Sequence, residues 1–430
     1  MGHTLVEKIL ARAAGRDDVK PGQIVNVPVD RLLMNDFVGP TAFRLFEKFK
    51  DKEGKGSKEG KTGKKIKNPE RILFGIDHRV PPVEVKFADN LKYCRDMCRR
   101  YGVERFAEIG RHGIGHQLMV EGFTLPGEVA LGTDSHATMY GGLGALACGI
   151  TASDAAAIML TGEIWLQVPH ALRVILEGDV QRGVTSKDVA LKLLTLDPIQ
   201  NFIYRAMEFS GSYTAGMSVS DRLVIANMMA ELDAKCAILP ADAKTAAYAG
   251  IPLEEMWREE ADPDAVYERI YRLDISELGP VLACPHSVDN VRPVSEVEGV
   301  PIQQAFLGSC TNGRIEDLEQ ALEILGGRSV HPDVRLIVVP ASQAVMLEAT
   351  RRGLVERFLE AGGAVMTPSC ASCAGGGPGL IGAGERCVST TNRNFKGRMG
   401  SPDSEVYLAS PYVVAAAAVT GKLTDPRALL

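Results

Sequence analysis

Short apolar runs alternate with longer amphipathic stretches along most of the chain. The amphipathic stretches carry apolar residues three and four positions apart, as helices do, whereas the apolar runs have the length of buried strands. The clearest runs cover residues 23–27, 72–76, 129–132, 172–176, 305–308, 334–339, 364–367 and 406–409. Strands separated by helices predict an α/β fold with mainly parallel sheets.

The pattern changes at two points, which predicts three α/β domains. Residues 1–169 form the first, and Pro169 closes it. Residues 170–296 form the second, and residues 297–430 form the third. A stretch rich in Pro, Val and acidic residues, 285–301, is predicted to link the last two.

The segment from Lys50 to Asn68 interrupts the pattern. It contains eight Lys, four Gly, three acidic residues and one aliphatic residue, Ile66. Such a composition cannot bury a core, so we expect a mobile surface loop. Its basic residues could contact a polyanion, but the interleaved acids favour a solvated insertion.

Composition excludes several classes of protein. The 430 residues are 45% hydrophobic and 24% charged with a net charge of −6, which is ordinary for a globular protein and does not indicate a nucleic-acid or membrane partner. Nine cysteines without a regular framework predict reduced thiols inside a cell. Because no signal peptide or long apolar run is evident, we expect a cytoplasmic protein.

Polar residues follow many of the predicted strands. Ligand sites of parallel sheets form at these carboxyl ends of the strands. These strand ends carry Asp77-His78, His116, Asp134-Ser135-His136, Cys310, Cys370 with Cys373, and Asn392-Arg393. A carboxylate beside an imidazole suits proton transfer. Arg393 and Arg398 could bind carboxylates in bidentate fashion, or could form surface salt bridges.

Three cysteines stand at two of these strand ends, in Gly308-Ser309-Cys310-Thr311-Asn312 and in Cys370-Ala371-Ser372-Cys373. The intervening β-α-β-α-β pattern predicts parallel neighbouring strands, so both segments should reach one sheet edge. Three thiolates could hold a 4Fe-4S cluster with one open iron position. On spacing alone, a redox pair, a zinc site and buried thiols remain alternatives.

These motifs together resemble the aconitase family. The resemblance rests on residues 308–312, 370–373, 133–136 and 392–398, and it covers nearly the whole chain in the family order. It is strongest to the short, archaeal-like large subunits of the 3-isopropylmalate dehydratase and homoaconitase branch. It implies three α/β/α domains around an iron–sulfur cluster, without the fourth, swivelling domain of the family.

The resemblance also implies roles for individual residues. Cys310, Cys370 and Cys373 would hold a 4Fe-4S cluster with one iron not bound by cysteine. Three catalytic carboxylate–imidazole pairs would be Asp77 with His78, Asp134 with His116, and Glu231 with His136. Substrate contacts would come from Asn35, Ser135, Arg393 and Arg398, and the cluster environment from Asn227, Asn312 and Asn392. At Asn35 the chain departs from the Gln or His of its relatives.

The implied activity is that of a hydro-lyase that isomerises a hydroxy-di- or tricarboxylate by dehydration and rehydration. 2-Isopropylmalate is the first candidate substrate, followed by homocitrate or homoaconitate and then by citramalate- or dimethylmalate-type acids. A small-subunit partner carrying the swivelling domain and its serine base is expected. An iron-sensing RNA-binding regulator is a different-class alternative, against which the net charge of −6 weighs.

Overall fold

The computed structural model of the chain describes residues 2–53 and 65–430. Three mainly parallel sheets carry helices on their faces, so the predicted α/β class is confirmed. No helix in these residues is long and apolar enough to cross a membrane.

The first sheet is built from residues of the N-terminal third. The strands of this third are β1 (Ile24–Pro28), β2 (Arg31–Asn35), β3 (Ile72–Gly75), β4 (Arg105–Ala107), β5 (Val129–Gly132), β6 (Leu146–Gly149) and β7 (Glu163–Gln167). Five of them pair in parallel in the order β4-β3-β2-β5-β6, and β1 pairs with β7 in a separate antiparallel ribbon. Successive residues of β2 enter different cores, Leu32 and Met34 on one face and Leu33 on the other, because side chains alternate along a strand.

The helices of this third are α1 (Leu5–Ala13), α2 (Gly39–Glu53), α3 (Val85–Tyr101), α4 (Gly115–Val120) and α5 (Ala152–Thr161). Gly141 and Gly142 of a glycine-rich stretch lie in a 3-10 segment, Ser135–Leu143. Helix α5 begins with a capping box. Thr151 is the N-cap, and Asp154 closes its capping box.

The second sheet has four parallel strands in the order β10-β9-β8-β11. Its strands are β8 (Ala171–Glu177), β9 (Ala206–Ser210), β10 (Cys236–Ile238) and β11 (Arg269–Asp274), and its helices are α6 (Ser186–Leu193), α7 (Ser212–Gly216), α8 (Val219–Met228) and α9 (Ala243–Ala249). Thr185 caps α6 by accepting a hydrogen bond from the Lys187 N–H, and it forms a capping box with Asp188.

The third sheet has seven strands in the order β13-β12-β18-β17-β14-β15-β16. They are β12 (Val281–Ala283), β13 (Val291–Pro293), β14 (Gln304–Leu307), β15 (Arg335–Val338), β16 (Ala364–Val365), β17 (Arg386–Ser389) and β18 (Glu405–Ala409). The accompanying helices are α10 (Val294–Val297), α11 (Ile315–Leu325), α12 (Gln343–Arg351), α13 (Leu354–Glu360) and α14 (Pro411–Thr420). Strands β14, β15 and β16 are parallel neighbours as predicted.

The boundary between the last two domains stays a prediction, but strand pairing bears on its position. The stretch 285–301, expected to be a linker, contains β13 and α10. Strands β12 and β13 precede residue 297, yet they pair antiparallel at the edge of the third sheet. We therefore propose a boundary near residue 280.

The prediction of a surface loop from Lys50 to Asn68 was wrong at both ends of this segment. Helix α2 continues to Glu53. Ile66 is buried in the core beside the first sheet, and the Lys67 N–H donates to the Met159 carbonyl at 2.7 Å. The rest of the segment, residues 54–64, lies outside the described residues.

Candidate active site

The edges of the first and third sheets meet where the strand-end residues lie. The Cys370 N–H, after β16, donates to the Asp77 carbonyl, after β3, at 2.7 Å. The Ile114 N–H donates to the Ala341 carbonyl at 2.8 Å. These backbone bonds bring the carboxylate–imidazole residues of the first sheet beside the cysteine segments of the third.

Asp77 and His78 form a hydrogen-bonded pair in this cleft. His78 Nδ1 lies 2.6 Å from Asp77 Oδ1, and Asp77 Oδ2 accepts the Gly115 N–H at 2.7 Å. Burial disfavours charge on the Asp77 carboxyl, but the neighbouring imidazole outweighs it and lowers the pKa. Burial also opposes charge on His78, yet Cys370 and Asp77 raise the pKa of the imidazole well above its usual value. The pair therefore favours an imidazolium beside a carboxylate.

A third carboxyl group, Asp36, supports this pair. Its side chain accepts the backbone N–H groups of Asp77, His78 and Arg79 at 3.1, 3.0 and 2.8 Å. Burial and the charge of Asp77 raise the pKa of Asp36 to about 6. Asp36 was not among the predicted site residues, although it follows β2 in the same way that Asp77 follows β3.

Asp134 lies between two imidazoles. Its Oδ1 lies 3.0 Å from His116 Nε2 and accepts the His136 N–H at 3.0 Å. Burial acts to raise the pKa of Asp134, but hydrogen bonds with His116 and His136 hold it well below its usual range. His116 Nδ1 lies 2.8 Å from the buried Tyr140 hydroxyl, which fixes the ring from its other side.

Glu231 joins His136 to the predicted substrate arginine. Glu231 Oε1 lies 2.7 Å from His136 Nε2, and Glu231 Oε2 accepts a hydrogen bond from Arg393 Nε at 3.0 Å. Arg393 also donates to the Ser135 hydroxyl at 3.0 Å. Burial disfavours charge on His136, but Asp134 and Glu231 raise its pKa. Four predicted residues thus form one connected network.

The cysteine turns contain strained and crowded backbone. Ser309 and Ala371, each next to a predicted cluster ligand, have positive φ angles of 81° and 47°. Non-glycine residues rarely take this conformation, and such strain concentrates at functional sites. Gly377 packs against Ala371 so closely that an added Cβ would lie 2.4 Å from the Ala371 carbonyl oxygen.

Amide groups surround the sulfur atoms. Asn227 Nδ2 lies 3.2 Å from Cys310 Sγ, and Asn392 Oδ1 lies 3.7 Å from the sulfur atoms of both Cys310 and Cys373. His78 Nδ1 lies 4.0 Å from Cys370 Sγ. All three cysteines are therefore reached by polar side chains of the candidate site.

The donor set bears on the alternatives for the cysteines. Burial raises the pKa of Cys370, the first thiol of the Cys370–Cys373 pair, well above its usual value, which does not suit a reactive dithiol because such a thiol must ionise near neutral pH. Among the described residues, the only three His, Cys, Asp or Glu side chains with ligand atoms all within 4.8 Å are Asp77, His78 and Cys370. Sulfur ligands of one zinc ion would lie about 3.8 Å apart, since Zn–S is about 2.3 Å. The sulfur atoms of Cys310, Cys370 and Cys373 are not such a group, so at least two of them lie more than 4.8 Å apart, which fits a multinuclear cluster better than one zinc ion.

Three predicted residues have other contacts. Asn35 is buried, and its Oδ1 accepts the Val38 N–H at 3.0 Å. Asn312 donates a hydrogen bond to Asp317 Oδ1 at 2.7 Å. This bond ties the turn that carries Cys310 to the start of α11. The Arg398 guanidinium lies 5.5 Å from the centre of the Phe395 ring.

Sequence reasoning missed Tyr140 and Lys187 as well as Asp36. Tyr140 directly precedes the glycine-rich stretch Gly141-Gly142-Leu143-Gly144, and no sequence motif pointed to this tyrosine. Lys187 follows a helix cap, where a lysine normally reaches solvent, and nothing in the pattern indicated that it is fully buried.

Comparisons with known proteins agree with the resemblance. The model of the aconitase family (aconitate hydratase) matches residues 7–421. A 3-isopropylmalate dehydratase large subunit from Acetivibrio thermocellus is 42% identical, covering 99% of both chains. The 3-isopropylmalate dehydratase large subunit 1 of Pyrococcus furiosus is 43% identical, covering 99% of this chain and 98% of the relative.

Two further relatives extend this picture. A probable 3-isopropylmalate dehydratase large subunit from Methanothermobacter thermautotrophicus is 43% identical over the full length of both chains. The crystal structure of Thermococcus kodakaraensis aconitase X in its holo-form matches with a TM-score of 0.51 at 11% identity, covering 90% of this chain and 89% of that one. This last likeness concerns the fold alone.

Proposed function

The chain belongs to the aconitase family, and from that premise we propose that it is the large subunit of a hydro-lyase that converts 2-isopropylmalate to 3-isopropylmalate in leucine biosynthesis. One observation carries the proposal: three carboxylate–imidazole pairs and three cysteines converge at one cleft. The names of relatives at 42–43% identity support this substrate over homocitrate, citramalate or dimethylmalate.

Cys310, Cys370 and Cys373 would hold a 4Fe-4S cluster with one iron not bound by cysteine. The amides of Asn227 and Asn392 around the sulfur atoms fit such a group. When bound, the cluster supplies an open iron position that acts as a Lewis acid toward a hydroxyl group.

The protein side chains would bind the acid and move its protons. Arg393, held by Glu231 and beside Ser135, would pair with a substrate carboxylate. Cys370 and Asp77 raise the pKa of His78 and favour its charged form, so His78 would donate a proton to the departing hydroxyl group. His136 is similarly kept charged by Asp134 and Glu231 and would balance negative charge on the substrate.

A small subunit would complete the site. The relatives are named large subunits, which supports a second chain in the working enzyme. Elimination needs a base aligned with the carbon-bound proton as well as an acid for the hydroxyl group. We assign that base to the partner.

Counting iron and acid-labile sulfide in anaerobically purified protein tests the cofactor. We expect about four of each per chain. Cys310→Ser should lose most of both, whereas Cys284→Ser, a buried cysteine outside the site, should keep them. Stoichiometric zinc without sulfide would contradict the assignment.

Initial rates on a panel of acids test the substrate. The reconstituted chain, mixed with a 3-isopropylmalate dehydratase small subunit, should act fastest on 2-isopropylmalate. Faster turnover of homocitrate, citramalate or 2,3-dimethylmalate with that same subunit would reject this substrate while leaving the reaction class intact.

A further inference from the structure

Lys187, in α6, is a fully buried charged side chain to which the proposed function gives no role. Its Nζ donates to the carbonyl oxygens of Thr390 at 3.0 Å and Thr391 at 2.8 Å, and lies 3.5 Å from Met228 Sδ. Within residues 2–53 and 65–430 it forms no ion pair with a carboxylate. A buried ammonium group without a counter-ion is strongly unfavourable, so this lysine calls for an anion that the protein atoms alone do not supply.

The cysteine ligands are the candidates for that anion, because Asn392, which follows the carbonyl groups that Lys187 binds, contacts the sulfur atoms of Cys310 and Cys373. Burial lowers the pKa of Lys187 to about 8, and Cys310 and Cys373 are the largest influences that raise it. Three thiolates give a bound 4Fe-4S cluster a net negative charge, and nearby charge is one of the factors that set its reduction potential. The positive charge of the Lys187 ammonium group is therefore complementary to the negative charge of the site with a cluster bound.

The two carbonyl groups that Lys187 binds belong to residues 390–392, which follow β17 and contact both cysteine turns. The Thr390 hydroxyl accepts the Gly308 N–H at 2.9 Å and donates to the Gly308 carbonyl at 2.8 Å, just before Cys310. Asn392, two residues later, contacts the sulfur atoms of Cys310 and Cys373. Fixing residues 390–392 consequently fixes groups around two of the three thiols.

We propose that Lys187 is a positioning residue for the cluster, whose ammonium group balances the negative charge of the ligand set and holds the segment that carries Asn392. The inference rests on the proposed function. A merely structural lysine would affect folding or cluster content, but it would not change the reduction potential in proportion to its charge.

Three substitutions separate charge from structure. Lys187→Met removes charge and donor, Lys187→Gln keeps a donor without charge, and Lys187→Arg keeps the charge. Lys192→Met, an exposed lysine on the same helix, is the matched control. The readouts are the midpoint potential of the cluster, from titration followed by electron paramagnetic resonance, and iron retention against a chelator.

Loss of the charge should favour the oxidised cluster. The Met and Gln variants should therefore shift the reduction equilibrium about tenfold, or about 59 mV lower for one electron, and lose iron about tenfold more readily. The Arg and control variants should stay near wild type in potential. Unchanged potentials in both uncharged variants would overturn the proposal, as would failure of both to fold. If wild type itself bound no iron and sulfide, the proposed function would fail as well, which distinguishes the two outcomes.

Discussion

At the scale of single residues, the protonation states of the ionisable side chains in the site depend on their hydrogen-bond partners more than on their exposure to solvent. Asp134 is half-buried, and hydrogen bonds with His116 and His136 hold its pKa low and keep it ionised. It therefore orients imidazoles and stabilises their charge instead of donating a proton. In the proposed reaction, the transferable protons would therefore lie on the imidazoles that these carboxylates hold.

Replacing Asp77 with Asn tests this arrangement. The amide keeps the shape of the side chain but removes the charge that stabilises an imidazolium at His78. We expect kcat to fall about 100-fold or more, as for loss of a general acid, while iron content stays near wild type. The exposed Asp89→Asn is the control. Unchanged kcat would show that His78 does not depend on Asp77.

Replacing Arg393 with Lys tests the carboxylate contact. A guanidinium group can bind Glu231 and Ser135 and still present a fork to the substrate, whereas an ammonium group cannot. The loss of a charged hydrogen bond, about 1.5–3 kcal/mol, predicts a KM raised about 10- to 100-fold. Steady-state kinetics measure the KM of this variant, with the exposed Arg351→Lys as the control. An unaltered KM would show that Arg393 does not bind the substrate.

The same scale shows what the sequence could predict. The pairs Asp77 with His78, Asp134 with His116, and Glu231 with His136 all have hydrogen-bond contact. Their catalytic roles stay predictions. Lys187 could not be found from the pattern, because its burial depends on the packing of α6 against a segment 200 positions away.

At the scale of elements, the cysteine turn after β16 depends on close backbone packing. Gly377→Ala would force its Cβ against the Ala371 carbonyl and displace the turn between Cys370 and Cys373. We expect iron content to fall by half or more, measured beside Gly216→Ala, where an added Cβ meets nothing within 4 Å. Full iron content in the Gly377 variant would show that the turn can move without losing the cluster.

The N-terminus of α6 gives a prediction about pH. Burial raises the pKa of Asp188 from 3.8 to about 6, so the folded chain binds this proton more tightly than the unfolded chain. Its stabilising contribution is therefore fully present below about pH 4 and is lost as the pH rises through about 6.

Asp188→Asn should abolish that dependence. Relative to the variant, the wild-type apo chain should gain up to about 3 kcal/mol of stability as the pH falls from 7 to 4. Thermal unfolding midpoints across this range measure the difference, with the exposed Asp17→Asn as a control. A difference that does not vary with pH would contradict the raised pKa.

Helices and strands were predictable where the periodicity of apolar residues was clear. They were not predictable where tertiary contacts decide where an element ends or which residues are buried. The β-α-β-α-β order of the cysteine region was predicted from its pattern. Asn227 and Glu231 are four positions apart, a spacing that fits one helical face, but α8 ends at Met228 and Glu231 lies in a 3-10 turn. Ile66 was assigned to a loop because its neighbours are polar, and only its packing shows that it is part of the core.

At the scale of the whole molecule, the site exists because parallel sheets present their carboxyl edges to one cleft. Strand order within each sheet could be inferred in part, but the contacts between sheets could not. The bonds from Cys370 to Asp77 and from Ile114 to Ala341 join residues more than 200 positions apart. A sequence pattern carries no local signal for such contacts.

The central claim is that this chain performs a cluster-dependent dehydration and rehydration that a small subunit completes. The most direct test follows 2-isopropylmalate by nuclear magnetic resonance under anaerobic conditions, with the reconstituted chain alone and with a 3-isopropylmalate dehydratase small subunit added. We predict 3-isopropylmalate formation in the mixture at a rate at least about 100-fold above that of the chain alone, because we assign the base to the small subunit and the Lewis acid to this chain. Equal rates with and without the small subunit, or undiminished turnover by Cys373→Ser in the mixture, would contradict the account.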